Sequence, residues 1–262
     1  MKIPVVVKCC YLFKVFEFIQ VIPYYKGNKY FFIIGVFMQN QSFDGQVIQS
    51  ESAILATNKL IRNTYMLLSA TLAFSAVTAG IAMAIDMPRM NIFVLLAGFF
   101  GLFFLTNKLR NSVWGIAAVF ALTGFMGLSM GSIIEMYLTR FSNGHELVMM
   151  AFGTTAVMFL GLSSYALTTR KNFNFLGGFL FVGLLVAIFG MIGAWLFNIP
   201  MLSLALSGVV VLLMAGYILY DTSRMVHGEE TNYIMATVSL YVNISNLFLN
   251  LLALMGFGFG DD

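Results

Sequence analysis

The sequence predicts an all-α membrane protein in which seven transmembrane helices form one bundle with the last helix at its centre. Three observations lead to this fold class. The 262 residues are 60% hydrophobic and only 10% charged, whereas soluble domains carry about 25% charged residues. The mean hydropathy is +0.90. Seven apolar stretches, each close to the roughly 20 residues that cross a bilayer as a helix, follow one another with short connections.

The amino-terminal part of the chain departs from this pattern. Residues 1–37 are apolar but interrupted by lysines, a glutamate and prolines, and no small-residue cleavage site follows a compact apolar core. We interpret them as a non-native or weakly structured extension ahead of a natural start at Met38, or else as an interfacial segment. Residues 38–58 then form a polar cytoplasmic tail, and residues 59–262 form the seven-helix membrane domain.

Short turns connect the predicted spans, so neighbours in sequence are expected to be neighbours in space. Pro88 and Pro200 fall in the turns before the second and sixth spans, where a missing backbone N–H costs least. The predicted spans are residues 61–85, 90–106, 112–139, 146–168, 174–197, 201–222 and 231–256.

Glycines recur along one face of two of these spans. The third span carries Gly124, Gly127 and Gly131, and the fifth carries Gly183 and Gly190. Small residues let helix backbones approach closely in lipid, where packing replaces the hydrophobic driving force. The glycines therefore predict close helix–helix contacts along both spans.

The charges in the loops predict the orientation in the membrane. If the first span begins inside, seven basic residues lie on the inner side and two on the outer side. The amino terminus is then cytoplasmic, and the chain ends outside with Asp261 and Asp262. The inner residues are Lys59, Arg62, Lys108, Arg110, Arg170, Lys171 and Arg224, and the outer residues are Arg89 and Arg140.

The last span carries a polar stripe. Ser239, Asn243, Asn246 and Asn250 follow one another at intervals of four, three and four residues, and 3.6 residues per turn places them on one side of a helix. Such a stripe is costly in hydrocarbon unless it faces protein or water. The stripe therefore predicts that this helix lies inside the bundle.

Asp221 is an acidic residue near the inner end of the sixth span. Acidic residues within membrane spans are rare and often mark ion pathways or proton relays. We expect Asp221 to face Asn243, with Arg224 and Lys108 as nearby positive charges. Two interpretations stay open, a simple ion pair at the helix end and an ion-gating or proton-sensing site.

The remaining residues give weaker indications. Glu135, in the outer third of the third span, either lines a cavity or pairs with Arg140. The two histidines lie in opposite loops, and the two cysteines are adjacent, so neither pattern predicts a metal site. Motifs for metalloprotease, serine hydrolase or phosphate-loop chemistry are missing from the sequence, as is a basic run that would bind nucleic acid. We predict no catalytic residues, no metal and no cofactor.

The last two spans resemble those of a known family. The sequences GYILYDTSRMV and TNYIMATVSLYVNISNLFLNLLALMGF resemble the final two helices of the Bax inhibitor-1 family, and the resemblance covers residues 50–262. The segments SESAILATNKLIRNTYMLLSATLAFSAVTA and HGEETNYIMATVSLYV are most similar to its YccA branch of bacterial inner-membrane proteins. The resemblance implies a seven-helix fold in the inner membrane, with the last helix surrounded by the other six.

The resemblance also implies two functions. Calcium-leak members of the family carry paired aspartates in the sixth and seventh helices and a basic residue in the second. Asp221 matches the first aspartate and Lys108 the basic residue, but Asn243 occupies the position of the second aspartate. The YccA branch is associated with the FtsH-type membrane protease and its HflK–HflC partners. We therefore expect a non-enzymatic modulator of that protease, with a pH-sensitive calcium or cation leak gated at Asp221 as the alternative.

Overall fold

The structure is a computed structural model that describes residues 51–258, with side chains from Leu55 onward. Seven α-helices, each long and apolar enough to span a membrane, account for its regular structure. This confirms the predicted fold class; the predictions made for residues 1–50 and 259–262 lie outside the described residues. The helices are α1 (Glu51–Ala84), α2 (Ile92–Leu109), α3 (Trp114–Arg140), α4 (Gly144–Thr169), α5 (Leu176–Leu196), α6 (Pro200–Val226) and α7 (Tyr233–Gly258).

The first helix begins earlier than predicted. Because α1 starts at Glu51, residues 51–58, which were predicted as part of the polar tail, are helical and continuous with the first span. The prediction followed the onset of the apolar stretch. The helix instead extends past it toward the amino terminus, because residues 51–60 contain neither glycine nor proline.

The helix ends follow local sequence signals. Pro200 is the first residue of α6, one position inside the helix rather than in the turn before it, and it needs no N–H partner there. At the start of α2 the side chain of Asn91 accepts a hydrogen bond of 3.0 Å from the backbone N–H of Phe93, which satisfies one of the donors that a helix start leaves free. Beyond α6 the chain reverses at Gly228, whose φ of +71° favours glycine. These signals bring α6 and α7 into an antiparallel pair.

Helix α7 is the centre of the bundle, as the polar stripe predicted. In its most apolar 18-residue window 78% of the residues are buried, against 22% in α2 and 33% in α5. The helices that pack most extensively on α7 are α6, α4, α1 and α3, while α2 packs mainly on α3 and α5 mainly on α6. The close neighbours of the central helix are thus four helices rather than six.

The glycine faces lie at two of the closest helix pairings. A Cβ atom at Gly131 in α3 would lie 2.5 Å from the carbonyl oxygen of Ala79 in α1. On the other side of the bundle, a Cβ atom at Gly183 in α5 would lie 2.7 Å from a methyl carbon of Leu213 in α6. The glycines therefore let α3 approach α1, and α5 approach α6, as the sequence predicted.

A buried tyrosine connects three helices through its hydroxyl group. Tyr241 of α7 is 1% exposed. Its hydroxyl shares a hydrogen bond of 2.7 Å with the hydroxyl of Ser75 in α1 and donates to the carbonyl oxygen of Thr123 in α3 at 3.2 Å. The residue thereby connects the central helix to the most extensive helix pair, α1 with α3.

Replacing this hydroxyl gives a first prediction. We expect Tyr241→Phe to lower the free energy of unfolding by about 1–2 kcal/mol, because Ser75 and Thr123 lose a partner in a buried site. Thermal unfolding of the purified protein in detergent measures the change. Tyr165→Phe is the matched control, since Tyr165 is 46% exposed. An equal loss of stability in both variants would contradict a special role for the buried hydroxyl.

Candidate functional site

The candidate site lies between α6 and α7, near the face of the bundle predicted to be inner. Asp221 sits in the last turns of α6, and its side chain is turned inward, so the residue is only 5% exposed. Ser239 and Asn243 lie four residues apart on α7 and so project from the same side of that helix. The antiparallel arrangement of α6 and α7 places these two side chains opposite the carboxylate of Asp221.

One carboxylate oxygen of Asp221 accepts two hydrogen bonds from α7. The hydroxyl of Ser239 donates to Oδ2 at 2.5 Å, and the side-chain amide of Asn243 donates to the same atom at 2.8 Å. Asn243 is 2% exposed. The contact expected between Asp221 and Asn243 is therefore present, and both described hydrogen bonds come from uncharged donors.

Arg224 lies one turn beyond Asp221 and interacts with it electrostatically. Its guanidinium group also forms an ion pair of 3.8 Å with Glu230, in the turn between α6 and α7. The same group lies 5.6 Å from the ring centroid of Tyr220. Arg224 is thus shared between the site and the adjacent turn.

Lys108 takes up a different position. It lies in the last turn of α2 and is exposed, and α2 packs mainly against α3. Among the described residues, no hydrogen bond or ion pair joins Lys108 to Asp221. Helix α2 has no close packing on α6 or α7 that would carry Lys108 into the site, so the basic partner expected from the resemblance is not brought together with Asp221.

Glu135 belongs to another part of the molecule. It lies in α3 near the opposite face of the bundle, half-buried, and its side chain lies beside that of Asp86. Asp86 follows α1 and has a φ of 49°. Among the described residues no ion pair joins Glu135 to Arg140, which is exposed. Of the two alternatives left open for Glu135, the ion pair with Arg140 is thus not formed among the described residues.

The polar stripe of α7 has two parts with different hydrogen-bond partners. Asn246 and Asn250 are buried like Asn243, but their side-chain amides donate to backbone oxygens of α7 itself. Only Ser239 and Asn243 reach Asp221. All four side chains lie on one side of α7, but only Ser239 and Asn243, the pair nearer the predicted inner face, contribute to the site.

Sequence reasoning missed two polar residues beside the site. Asn232 caps α7, because its side-chain oxygen accepts from the backbone N–H groups of Ile234 and Met235 at 3.0 and 3.1 Å. Its amide group donates to the carbonyl oxygen of Arg110 and to the side chain of Asn111, both at 3.0 Å. An asparagine immediately before a helix is a known capping signal, so the cap was detectable, whereas the contact with the α2–α3 turn was not.

Ser223 is the second missed residue. Its hydroxyl donates to the carbonyl oxygen of Lys171 at 3.1 Å and accepts from the backbone N–H of Phe173 at 3.0 Å. The side chain of Asn174 also donates a hydrogen bond to Glu229. Together with Asn232, these contacts join the turns that follow α2, α4 and α6 into one connected surface at the predicted inner face.

The chemistry available at the site is limited. Asp221 supplies one carboxylate, with an amide, a hydroxyl and a guanidinium nearby. Among the described residues, no group of three or more His, Cys, Asp or Glu side chains is placed to hold a metal ion. The arrangement suits the binding of a proton or the response to a charge, and it links that response to the packing of α6 on α7.

Comparison with known proteins places this arrangement in a family. The sequence model described as "Inhibitor of apoptosis-promoting Bax1" matches residues 57–260. Protein PA2604 of Pseudomonas aeruginosa is 48% identical over 228 residues, which cover 86% of this chain and 100% of the relative. The "Modulator of FtsH protease YccA" of Escherichia coli K12 is 45% identical over 210 residues, which cover 80% of this chain and 95% of the relative. The chain therefore belongs to the Bax inhibitor-1 family.

Proposed function

We propose that this protein is an inner-membrane modulator of an FtsH-type membrane protease and that it acts together with HflK–HflC. The observation that carries the proposal is the 45% identity to the E. coli modulator of FtsH protease over 95% of that protein. A similarity of this extent includes the whole helical bundle rather than one motif. The relative of E. coli O6:H1, which is also 45% identical and is named "Inner membrane protein YccA", supports the same location here.

The connected turns at the predicted inner face support a binding role. Asn232 and Ser223 hold separate turns together through side-chain hydrogen bonds. A surface held in this way presents a fixed shape, so a partner that binds it loses little conformational entropy in ordering it. The excess of basic residues at this end favours a cytoplasmic location and a cytoplasmic amino terminus. In this proposal the protein acts by contact with the protease and not by catalysis.

Co-purification tests this function and its contact surface. We expect the tagged protein to retain the FtsH-type protease from detergent-solubilised membranes, and its overproduction to slow degradation of a membrane substrate. Repeating the experiment in cells without HflK–HflC determines whether those proteins are required. Absence of the protease from the purified sample, together with unchanged degradation, would overturn the proposal.

A matched pair of variants sharpens the test. Asn232→Asp keeps a side-chain oxygen to cap α7 but removes the amide that donates to Arg110 and Asn111, and we expect it to reduce protease recovery several-fold. Thr231→Ala is the control, because Thr231 is exposed and lies next to Asn232. Circular dichroism confirms that both variants remain helical. Equal recovery with both variants would show that the connected turns are not the contact surface.

A cation leak gated at Asp221 is the second candidate function. The observation that favours it is a carboxylate, 5% exposed, whose described hydrogen bonds come from neutral side chains of the central helix. Flux of calcium into dye-loaded liposomes that contain only this protein tests the idea. A leak at this site requires flux in wild type and a clear change in Asp221→Asn. If wild type and Asp221→Asn both show only the calcium flux of protein-free liposomes, the leak function is excluded. The protease proposal is not affected by that result.

A further inference from the structure

Two side-chain amides in the middle of α7 have oxygens that accept no hydrogen bond from the described part of the chain. Asn246 and Asn250 are 1% and 0% exposed. Among the described residues, neither side-chain oxygen accepts a hydrogen bond from any protein group. Buried polar atoms of folded proteins almost always have a partner, either protein or ordered water. Each of the two oxygens therefore needs a hydrogen-bond donor that residues 51–258 do not supply.

The orientation of both amides is fixed by the backbone. The amide nitrogen of Asn246 donates to the carbonyl oxygen of Val242 at 2.9 Å, and that of Asn250 donates to the carbonyl oxygen of Asn246 at 2.8 Å. Rotating either amide by half a turn would place its oxygen against a carbonyl oxygen and lose a hydrogen bond. The free oxygens are thus a consequence of the helix geometry and not of an exchanged nitrogen and oxygen.

The charge and spacing of the two amide oxygens indicate which kind of ligand they can bind. They are neutral acceptors one helical turn apart, which is a rise of about 6 Å. A calcium ion takes six to eight oxygen ligands with carboxylates among them, and two neutral amides do not provide such a shell. A water molecule needs only a few polar partners and donates two hydrogen bonds. Water fits these acceptors better than a cation does.

The position of the two residues extends the candidate site. Asn243, one turn closer to the predicted inner face, donates to Asp221, so Asn243, Asn246 and Asn250 form a continuous line of amides. We name this line the α7 seam. We propose that ordered water molecules bind at Asn246 and Asn250, so that the part of the α7 seam in the middle of the bundle is hydrated. The inference is independent of the protease proposal.

Radiolytic footprinting in ¹⁸O-labelled water tests for these molecules, because hydroxyl radicals formed from a bound water label the side chains beside it. We expect oxygen from the labelled water in the buried part of α7, residues 242–252, at a level several-fold above that in α5. Helix α5 is the internal comparison, since its sequence carries no side-chain amide. Equal labelling of the two helices at background level would overturn the proposal.

Near-isosteric variants provide a second measurement. Asn246→Leu and Asn250→Leu should lose the labelling. Both should also unfold at or below the wild-type temperature, because leucine then replaces an amide whose oxygen already has a water molecule as its hydrogen-bond partner. A dry seam predicts the opposite, since leucine would remove an unpaired buried oxygen and raise the unfolding temperature. A raised unfolding temperature without labelling would overturn the proposal. If either variant fails to fold, labelling of the wild type decides.

Discussion

Replacing Gly131 by alanine is expected to lower the free energy of unfolding by about 2–3 kcal/mol. The added Cβ atom would lie 2.5 Å from the carbonyl oxygen of Ala79 and 2.8 Å from the Cβ atom of Ala82. Neither atom belongs to a flexible side chain, so relief requires α1 and α3 to separate. Because these helices form the most extensive pairing in the described part of the chain, the loss affects the whole bundle.

Gly153→Ala is the matched control for this experiment. Gly153 also lies within a helix, but a Cβ atom there would have no other atom within 4 Å. Alanine is a better helix former than glycine by up to about 1 kcal/mol, so this variant should be as stable as wild type or more stable. Thermal unfolding in detergent compares the two. Similar losses in both would show that helix packing at Gly131 is not the cause.

Asn243→Asp is expected to make the packing of α6 on α7 strongly dependent on pH. In wild type the amide of Asn243 donates to Oδ2 of Asp221 at 2.8 Å. In the variant two carboxylates occupy this contact, and two such groups cannot both ionise without strong repulsion. They are expected to hold one proton between them and to titrate as a pair. Stability is therefore retained while the pair is protonated and falls as rising pH removes the shared proton.

The measurement is thermal unfolding and calcium-dye flux between about pH 5 and pH 8, with wild type beside the variant. Wild type holds one carboxylate in this contact and should change less steeply, whereas Asn243→Asp should lose stability steeply as pH rises. Asn243→Leu is the control, because it removes the same donor without adding a charge. Equally steep profiles for wild type and Asn243→Asp would show that position 243 does not determine the pH response.

The spans and the identity of the central helix could be predicted from the sequence because both depend on local patterns. An apolar stretch must be helical to cross hydrocarbon, since its backbone groups have no other partners there. The polar stripe from Ser239 to Asn250 indicated burial in protein by the same argument. The start of α1 at Glu51 was missed, because the signal used was the onset of the apolar stretch and a helix can begin before it, in water.

The partners of the candidate residues were decided by the tertiary structure. Helical periodicity placed Ser239, Asn243, Asn246 and Asn250 on one stripe, but it did not specify which of them would face Asp221. The structure pairs Ser239 and Asn243 with Asp221 and leaves the other two bonded to their own helix. The physical reason is that a side chain's direction around its helix is a local property, whereas the helix opposite it and its height in the bundle depend on how all seven helices pack.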